Sequence, residues 1–307
     1  TADLLRIATG GTGVIPAGAI HPDLVRRLAD EAAKAAGHVL TMCIRALDYL
    51  PPVDPTFFEY LRALITADFD LVPDDRLGYR VAFVEAFRRR GIYPVDLDAP
   101  ARDTVRTLSV DTLRWQGLDL SRFPRRVQVQ ILQQYGEVVE GLERYANACL
   151  YLEDRAERFA QTRARRAALR RQLTAAFRAV PAFAGELGID PARSFEVHDL
   201  RPAMRTSPDG RHTPQVIAAL TQSTTIAEDR ATGTPRHTFR GGSTLIVDLT
   251  VPEIKYRIVK NIGSPGRQAR TAEFVRGVAA DPLRALFFSG DRKEPFAALH
   301  ALADDGA

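Results

Sequence analysis

Residues 243–260, STLIVDLTVPEIKYRIVK, decide the fold class, because they carry the clearest β-hairpin signal in the chain. Two runs rich in β-branched and aromatic residues flank the turn sequence Thr-Val-Pro-Glu at 250–253. In the second run, Ile254, Tyr256 and Ile258 are separated by basic residues. This alternation predicts a half-buried antiparallel strand, with one apolar face on a core and a mostly basic face in solvent.

The same β-rich character extends upstream of this hairpin. After Pro181 the helical period gives way to runs of β-branched and aromatic residues at 195–200, 215–226, 239–249 and 254–259. Turn signals such as Pro208-Asp209-Gly210 separate the runs. Short helices are predicted at 267–278 and 282–288. We therefore predict a C-terminal antiparallel β module with short helices over residues 186–307.

The first hundred residues predict a helical bundle. Residues 22–50 place apolar side chains three and four apart, which indicates a long helix that ends before Pro51-Pro52. Asp54 is the predicted N-cap of a second helix, with Pro55 at its first position. A third helix is predicted from residue 77 to three arginines at 88–90, with Gly91 as its cap. Three antiparallel helices with short loops follow from this pattern.

The middle of the chain predicts a linker followed by long helices. From 93 to 124, Asp, Pro and Arg interrupt the pattern, and the only helix expected is a short one at 109–115 with Trp115 packed. Helical spacing then continues from 127 to 177, which is typical of a long helical hairpin or of two long helices in series. The predicted fold class is α+β and mostly α, divided into 1–100, 101–185 and 186–307.

The amino-acid composition excludes some classes of protein. The 307 residues are 45% hydrophobic and 26% charged with a net charge of +4, which favours a globular protein over a disordered or polyelectrolyte-type binder. Cys43 and Cys149 lie in apolar helical patterns and are predicted to be buried thiols. No apolar run reaches about 18 residues, so no transmembrane helix is expected. The start at Thr1, without a Met or a charged-then-apolar leader, predicts a chain that is processed, trimmed of a tag or cut from a longer polypeptide.

Residues 36–92 contain an ordered set of short motifs. They are, in sequence, Ile44-Arg45-Ala46-Leu47-Asp48-Tyr49-Leu50, a proline, Thr56-Phe57, Arg62, Ala67-Asp68, Glu85-Ala86-Phe87 and Gly91-Ile92. This order resembles the close of the C-terminal helical domain in thermolysin-like and fungalysin-like zinc metallopeptidases (gluzincins). The alternative is a generic three-helix bundle, whose amphipathic pattern also places Leu, Ala and Phe at these spacings.

The zinc-binding half of that family has no counterpart in this chain. The family holds zinc with two histidines of an HExxH helix and a further Glu, and the glutamate of the motif acts as base. This sequence has no HExxH, and no two of its six histidines are three or four residues apart. The resemblance therefore implies structural roles for the matched residues, no catalytic, cofactor or metal residue here, and zinc in a peptidase domain upstream in the same polypeptide.

Other motifs give weaker signals. His198, His212 and His237 fall in the β-rich segment and would form a metal site only if the fold brought them together. Asp68, Asp70, Asp74 and Asp75 resemble the start of a calcium loop, but Pro73 stands where glycine is required, so helix capping explains them better. The glycine-rich stretches at 10–13 and 263–266 match neither a phosphate loop nor a nucleophile elbow.

A run of arginines is the strongest signal for a different function. Its members are Arg155, Arg158, Arg163, Arg165, Arg166, Arg170, Arg171 and Arg178. A basic stripe on a helix is typical of nucleic-acid binding, but acids at 153, 154 and 157 dilute the charge and we find no aromatic platform for stacking. A solvated helix face is the preferred interpretation, and the sequence argues against a nucleic-acid partner.

The sequence thus predicts the non-catalytic C-terminal part of a thermolysin-like zinc metallopeptidase. The alternative is a stand-alone, non-enzymatic protein-binding or scaffolding module, in which the β segment binds a protein partner by pairing its edge strand. Neither hypothesis includes a membrane partner.

Overall fold

The computed structural model describes residues 2–15, 21–93, 110–207, 209–251, 253–278 and 281. Helices dominate the chain, and one antiparallel sheet lies in its C-terminal part, so the predicted class, α+β and mostly α, is confirmed. The predicted helix at 282–288 falls outside the described residues. None of the described helices combines the length and apolar character needed to cross a bilayer.

The N-terminal helices agree with the sequence except at one boundary. Helix α1 spans Ala2–Ala8, α2 spans Pro22–Ala46 and continues as a 3-10 turn, Leu47–Tyr49, and α3 spans Phe57–Leu71. The predicted N-cap of α3, Asp54, is wrong. Thr56 is the N-cap, because its hydroxyl accepts from the Glu59 amide while the Glu59 carboxylate accepts from the Thr56 amide. This reciprocal capping box satisfies two free amides at once.

Helix α4, Tyr79–Arg89, ends as predicted, with Gly91 at a φ of 69° just beyond it. Helix α5 spans Val110–Leu113 and leads to the buried ring of Trp115. Helices α6, Arg125–Cys149, and α7, Arg155–Ala179, are joined by a short loop and pack antiparallel, so the hairpin alternative is the correct one. Helix α8 spans Pro181–Glu186, and α9 spans Pro265–Val278.

Over the residues that the structure describes, the sheet is a meander of four strands in the order β1-β2-β3-β4. Its strands are β1, Glu196–Thr206, β2, His212–Ile226, β3, His237–Asp248, and β4, Glu253–Lys260. All pairs are antiparallel. The register of the last pair shifts, because Ile246 lies opposite Tyr256 whereas Val247 lies opposite Ile254. Lys255 is therefore an extra residue in β4, and side chains on either side of it point to opposite faces.

Helices cover both faces of the sheet. One core contains Val216, Leu245 and Ile254 of the sheet together with α6, α7 and α8. The other contains Tyr256 and Ile258 together with α2 and α3. The prediction that Ile254, Tyr256 and Ile258 share one face, with the other in solvent, is therefore wrong. The bulge at Lys255 moves Ile254 to the first core, which simple alternation does not predict.

The two cores cross the segment boundaries expected from the sequence. Residues of α2 and α3 pack on strands that lie about 150 to 200 positions later in the chain. The apolar face of a sheet must be covered by another element, and here that element comes from the start of the chain. The division into 1–100, 101–185 and 186–307 stays a sequence-based prediction. Cys149 is buried as predicted, Cys43 is half-buried, and both thiols are free.

Candidate functional site

The three histidines considered as metal ligands lie far apart. His212 pairs with Thr206 at one end of the β1-β2 ladder, whereas His237 pairs with Ile226 at the other end of β2. At about 3.3 Å per residue these ends are about 45 Å apart. His198 lies in the irregular part of β1 between these ends. Among the described residues, no group of three or more His, Cys, Asp and Glu side chains is placed to hold a metal ion.

Helix capping accounts for only one of the four aspartates that resembled a calcium loop. Asp75 accepts hydrogen bonds from the first two backbone amides of α4, as the capping prediction requires. Asp74 is exposed and pairs with Arg76. Asp68 instead forms a buried ion pair with Arg80, at 2.9 Å between Oδ2 and Nη1. Burial raises the pKa of Asp68, and the neighbouring guanidinium opposes this rise.

Asp70 is the centre of a buried polar network between α3 and the sheet. Its Oδ2 atom accepts from the hydroxyl of Tyr49 at 2.6 Å and from Nε2 of Gln215 at 2.9 Å. Its Oδ1 atom pairs with the ammonium of Lys255, the bulge residue, and lies 3.5 Å from the hydroxyl of Tyr256. Burial raises the pKa of both tyrosines, so they stay neutral donors. The network clamps the helix to the sheet, and both carboxylate oxygens are used.

The residues that carry the gluzincin resemblance have structural roles. Arg62 of α3 lies on the ring of Trp115, with its Cζ atom 3.6 Å from the ring centroid, and its Nε donates to the carbonyl of Leu113 at 2.9 Å. Burial lowers the pKa of Arg62 to about 10, so the side chain remains charged near neutral pH. Thr56 and Asp68 serve as a cap and an ion-pair partner. These contacts fix α3 against the segment that follows α5.

The arginines of α7 divide into two groups. Arg166 donates to the carbonyl of Val197 in β1 at 2.7 Å, and Arg165 donates to the carbonyl of Val138 in α6. Burial lowers the pKa of Arg165. The other six side chains are exposed. The sequence interpretation also missed Phe159, which is 67% exposed within the same helix.

Helix α2 has a second apolar face that the sequence interpretation missed. Its predicted face is partly confirmed, because Met42 and Ala46 are buried against α3. On the opposite side, Leu40, Ile44 and Leu47 follow one another at helical spacing and are 60%, 59% and 58% exposed. Exposed alanines at 29, 33 and 36 continue this line toward the start of the helix. Leu47 lies in the 3-10 turn that continues α2, and we call these six positions together the outer face of α2.

The edges of the sheet offer little room for an added strand. The outer side of β4 is occupied by residues 116–118, through a bridge between Gln116 and Arg257 and a bond from the Leu118 amide to the Ile254 carbonyl. The outer side of β1 carries a bulge and Pro202, which lacks an amide donor. The edge pairing expected for a scaffolding module is therefore disfavoured.

Comparisons with protein-family models, with characterised proteins and with solved structures gave no match. The outer face of α2 is thus the surface of the described chain whose chemistry most directly indicates a partner. It is apolar, continuous over several helical turns and exposed. Isolated exposed apolar residues are normal on protein surfaces, whereas contiguous exposed apolar patches are typical of interaction sites.

Proposed function

We propose that this chain is a non-catalytic docking module, and that a second folded protein unit covers the outer face of α2. The observation that carries the proposal is the alignment of Leu40, Ile44 and Leu47, each more than half exposed, on the side of α2 opposite its buried stripe. No other described residue covers them. A helix with apolar residues on two opposite sides is stable when both sides are packed.

The energy available at this face supports a contact with a unit that is already held nearby. Complete burial of one leucine or isoleucine contributes about 1.5–3 kcal/mol, so covering three that are more than half exposed contributes about 3–5 kcal/mol. The alanines at 29, 33 and 36 allow a helix backbone to approach closely at the other end. This burial energy is small beside the loss of translational and rotational freedom when two free molecules associate. It therefore favours a partner that is covalently linked to this chain, because the link keeps the partner at a high effective concentration.

The position of the face supports a particular occupant. Leu40, Ile44 and Leu47 lie within residues 36–92, the stretch that resembles the end of a gluzincin catalytic unit. The resemblance implies that these helices form one wall of a peptidase cleft. We therefore propose a zinc peptidase domain of the same polypeptide as the occupant. A separate protein partner of a stand-alone module is the second candidate, because the same exposed face would serve it.

The experiment is site-specific photo-crosslinking in the cells that produce the protein. A photoreactive amino acid replaces Ile44 in the natural polypeptide, and a matched variant carries it at Gln133, an exposed position of α6. We expect crosslinking at 44 and not at 133. A crosslink inside one polypeptide heavier than 33.9 kDa, mapped to a segment with an HExxH motif, supports the peptidase assignment.

The other outcomes are equally informative. A crosslink from 44 to one defined separate protein supports the stand-alone module and excludes the intramolecular occupant. Equal yields at 44 and 133 contradict the docking proposal altogether. As a control for folding, Ile44→Gln in the isolated chain is expected to change the free energy of unfolding by less than about 0.5 kcal/mol, because the side chain is already more than half exposed.

A further inference from the structure

An open groove of about 600 Å³ lies between the C-terminal half of α7 and the loop that leads into β1. Arg170 and Arg178 contribute to it from the helix, and Arg193 contributes from the loop. The lining includes no acidic residue among the described part of the chain. The groove is on a different surface from the outer face of α2, so its function is independent of the docking proposal.

Two of the three guanidinium groups lack an acidic partner in the described part of the chain. Within the described residues, Arg170 and Arg178 have no carboxylate within ion-pairing distance. Arg193 is held in place by Asp190, at 3.0 Å, and by the hydroxyl of Thr224, at 2.7 Å. These two contacts use its Nε and one Nη atom and leave its remaining donors available. The groove therefore presents positive charge that no described side chain fully neutralises.

The floor of the groove is apolar. Phe177 and Phe195 line it, and their ring centroids are 5.3 Å apart. Pro181 and Pro191 add further apolar surface at the sides. A site that combines guanidinium forks with an apolar floor suits a ligand with an anionic end and a flat or apolar body. Its volume lies within the range of about 300–1,000 Å³ that is typical of small-molecule sites.

We propose that this groove binds a phosphate ester of a ring-containing small molecule, in the size range of a nucleotide. Arginine forks bind phosphate and carboxylate oxygens in pairs, and a phosphate monoester carries more negative charge than a carboxylate, so it better matches a groove with the guanidinium groups of Arg170 and Arg178. The exposed rings of Pro181 and Pro191, at the sides of the groove, offer apolar contact to the ring of the ligand. A polynucleotide fits less well, because Phe177 and Phe195 are buried and the described lining holds no exposed aromatic side chains on which successive bases could stack.

The test is calorimetric titration of the intact chain with adenosine 5′-monophosphate, adenosine, inorganic phosphate and a single-stranded oligonucleotide. Two double variants are compared with the natural chain. Arg170→Ala/Arg178→Ala removes both free guanidinium groups, whereas Arg163→Ala/Arg171→Ala removes two exposed arginines of the same helix that do not line the groove. Both variants lose the same charge, so they separate a local site from a general electrostatic effect. Unchanged melting curves confirm that both still fold.

We expect saturable binding of the monophosphate, weaker binding of inorganic phosphate and none of adenosine. The groove variant is expected to weaken binding at least about tenfold, and the control variant less than about twofold, since a phosphate contact is local. Three results would overturn the proposal. They are no saturable binding of either phosphate compound, equal weakening by both variants, and tighter binding of the oligonucleotide with a steep salt dependence, which indicates a nucleic-acid surface along α7.

Discussion

Replacing Arg62 with alanine tests how the helical part of the chain is joined to the rest. The guanidinium donates to the carbonyl of Leu113 and stacks on Trp115, the single tryptophan of the chain. A hydrogen bond from a charged group contributes about 1.5–3 kcal/mol, and a partly buried cation–π contact about 0.5–2 kcal/mol. Part of this is offset, because the variant no longer buries a cation. We expect a loss of about 2–3 kcal/mol in the free energy of unfolding.

Urea denaturation followed by tryptophan fluorescence and by circular dichroism measures this loss. Trp115 is the single tryptophan of the chain and contacts the side chain of residue 62. Removal of that side chain exposes the indole ring to water, so tryptophan emission of the folded variant is expected to shift to longer wavelength. Arg62→Lys keeps the charge but not the planar fork, so an intermediate loss is expected.

Arg76→Ala is the matched control. Arg76 pairs with Asp74 at 2.7 Å, but the two side chains are 86% and 71% exposed. An exposed pair of this kind contributes about 0–1 kcal/mol, so the control should change stability by less than about 0.5 kcal/mol. Equal small losses in both variants, together with unchanged Trp115 emission, would show that Arg62 does not hold the two parts together.

Three further variants probe other elements of the fold. Asp70→Ala removes a buried, ion-paired carboxylate and is expected to lower the free energy of unfolding in urea by about 3 kcal/mol. Asp74→Ala, at an exposed pair, should lower it by less than about 0.5 kcal/mol. Similar losses in the two variants would contradict a stabilising role of the polar network around Asp70. Gly242→Ala places a Cβ atom against the backbone carbonyl of Leu220 at a φ of 154°, so most of this variant should be insoluble or melt many degrees lower. Hydrogen bonds from two arginines on α4 lower the pKa of the Glu85 carboxyl from 4.5 to about 2. The ionised carboxylate therefore stabilises the fold fully above about pH 4.5, and this stabilisation is lost as the pH falls toward 2. The difference in melting temperature between the natural chain and Glu85→Gln should therefore vanish at pH 2 and also in high salt.

The strands and long helices were predictable because their signals are local. The alternation in β4 and the spacing in α6 and α7 depend on residues a few positions apart. The capping box of α3 was also visible, since Thr56 and Glu59 have the required spacing, but the neighbouring Asp-Pro pair resembles a helix start as well. The backbone excludes Asp54 as the N-cap, because its φ of 47° lies in the left-handed region, whereas an N-cap residue normally has an extended backbone.

The features that the sequence did not disclose depend on distant contacts. The bulge at Lys255 is defined by the partner strand, and the alternation inside β4 contains no sign of it. Arg165 and Arg166 differ from the other arginines of α7 only because α6 and β1 lie beside them. The spacing of the apolar residues on the outer face of α2 is visible in the sequence. The sequence does not show which of the two apolar faces of the helix is buried in the fold. The groove is lined by residues of α7 and of the loop before β1, and only the tertiary fold brings these two segments together.

The order of the strands has a consequence for how the chain folds. Each strand lies beside its neighbour in sequence, so the sheet forms by successive hairpins that close only short loops. The contact between Tyr256 and Asp70, by contrast, closes 186 residues. The entropic cost of closing so long a loop is offset by packing contacts only after the sheet surface exists. We therefore expect α2 and α3 to dock last, in a slow kinetic phase that reports on the covering of an already formed sheet.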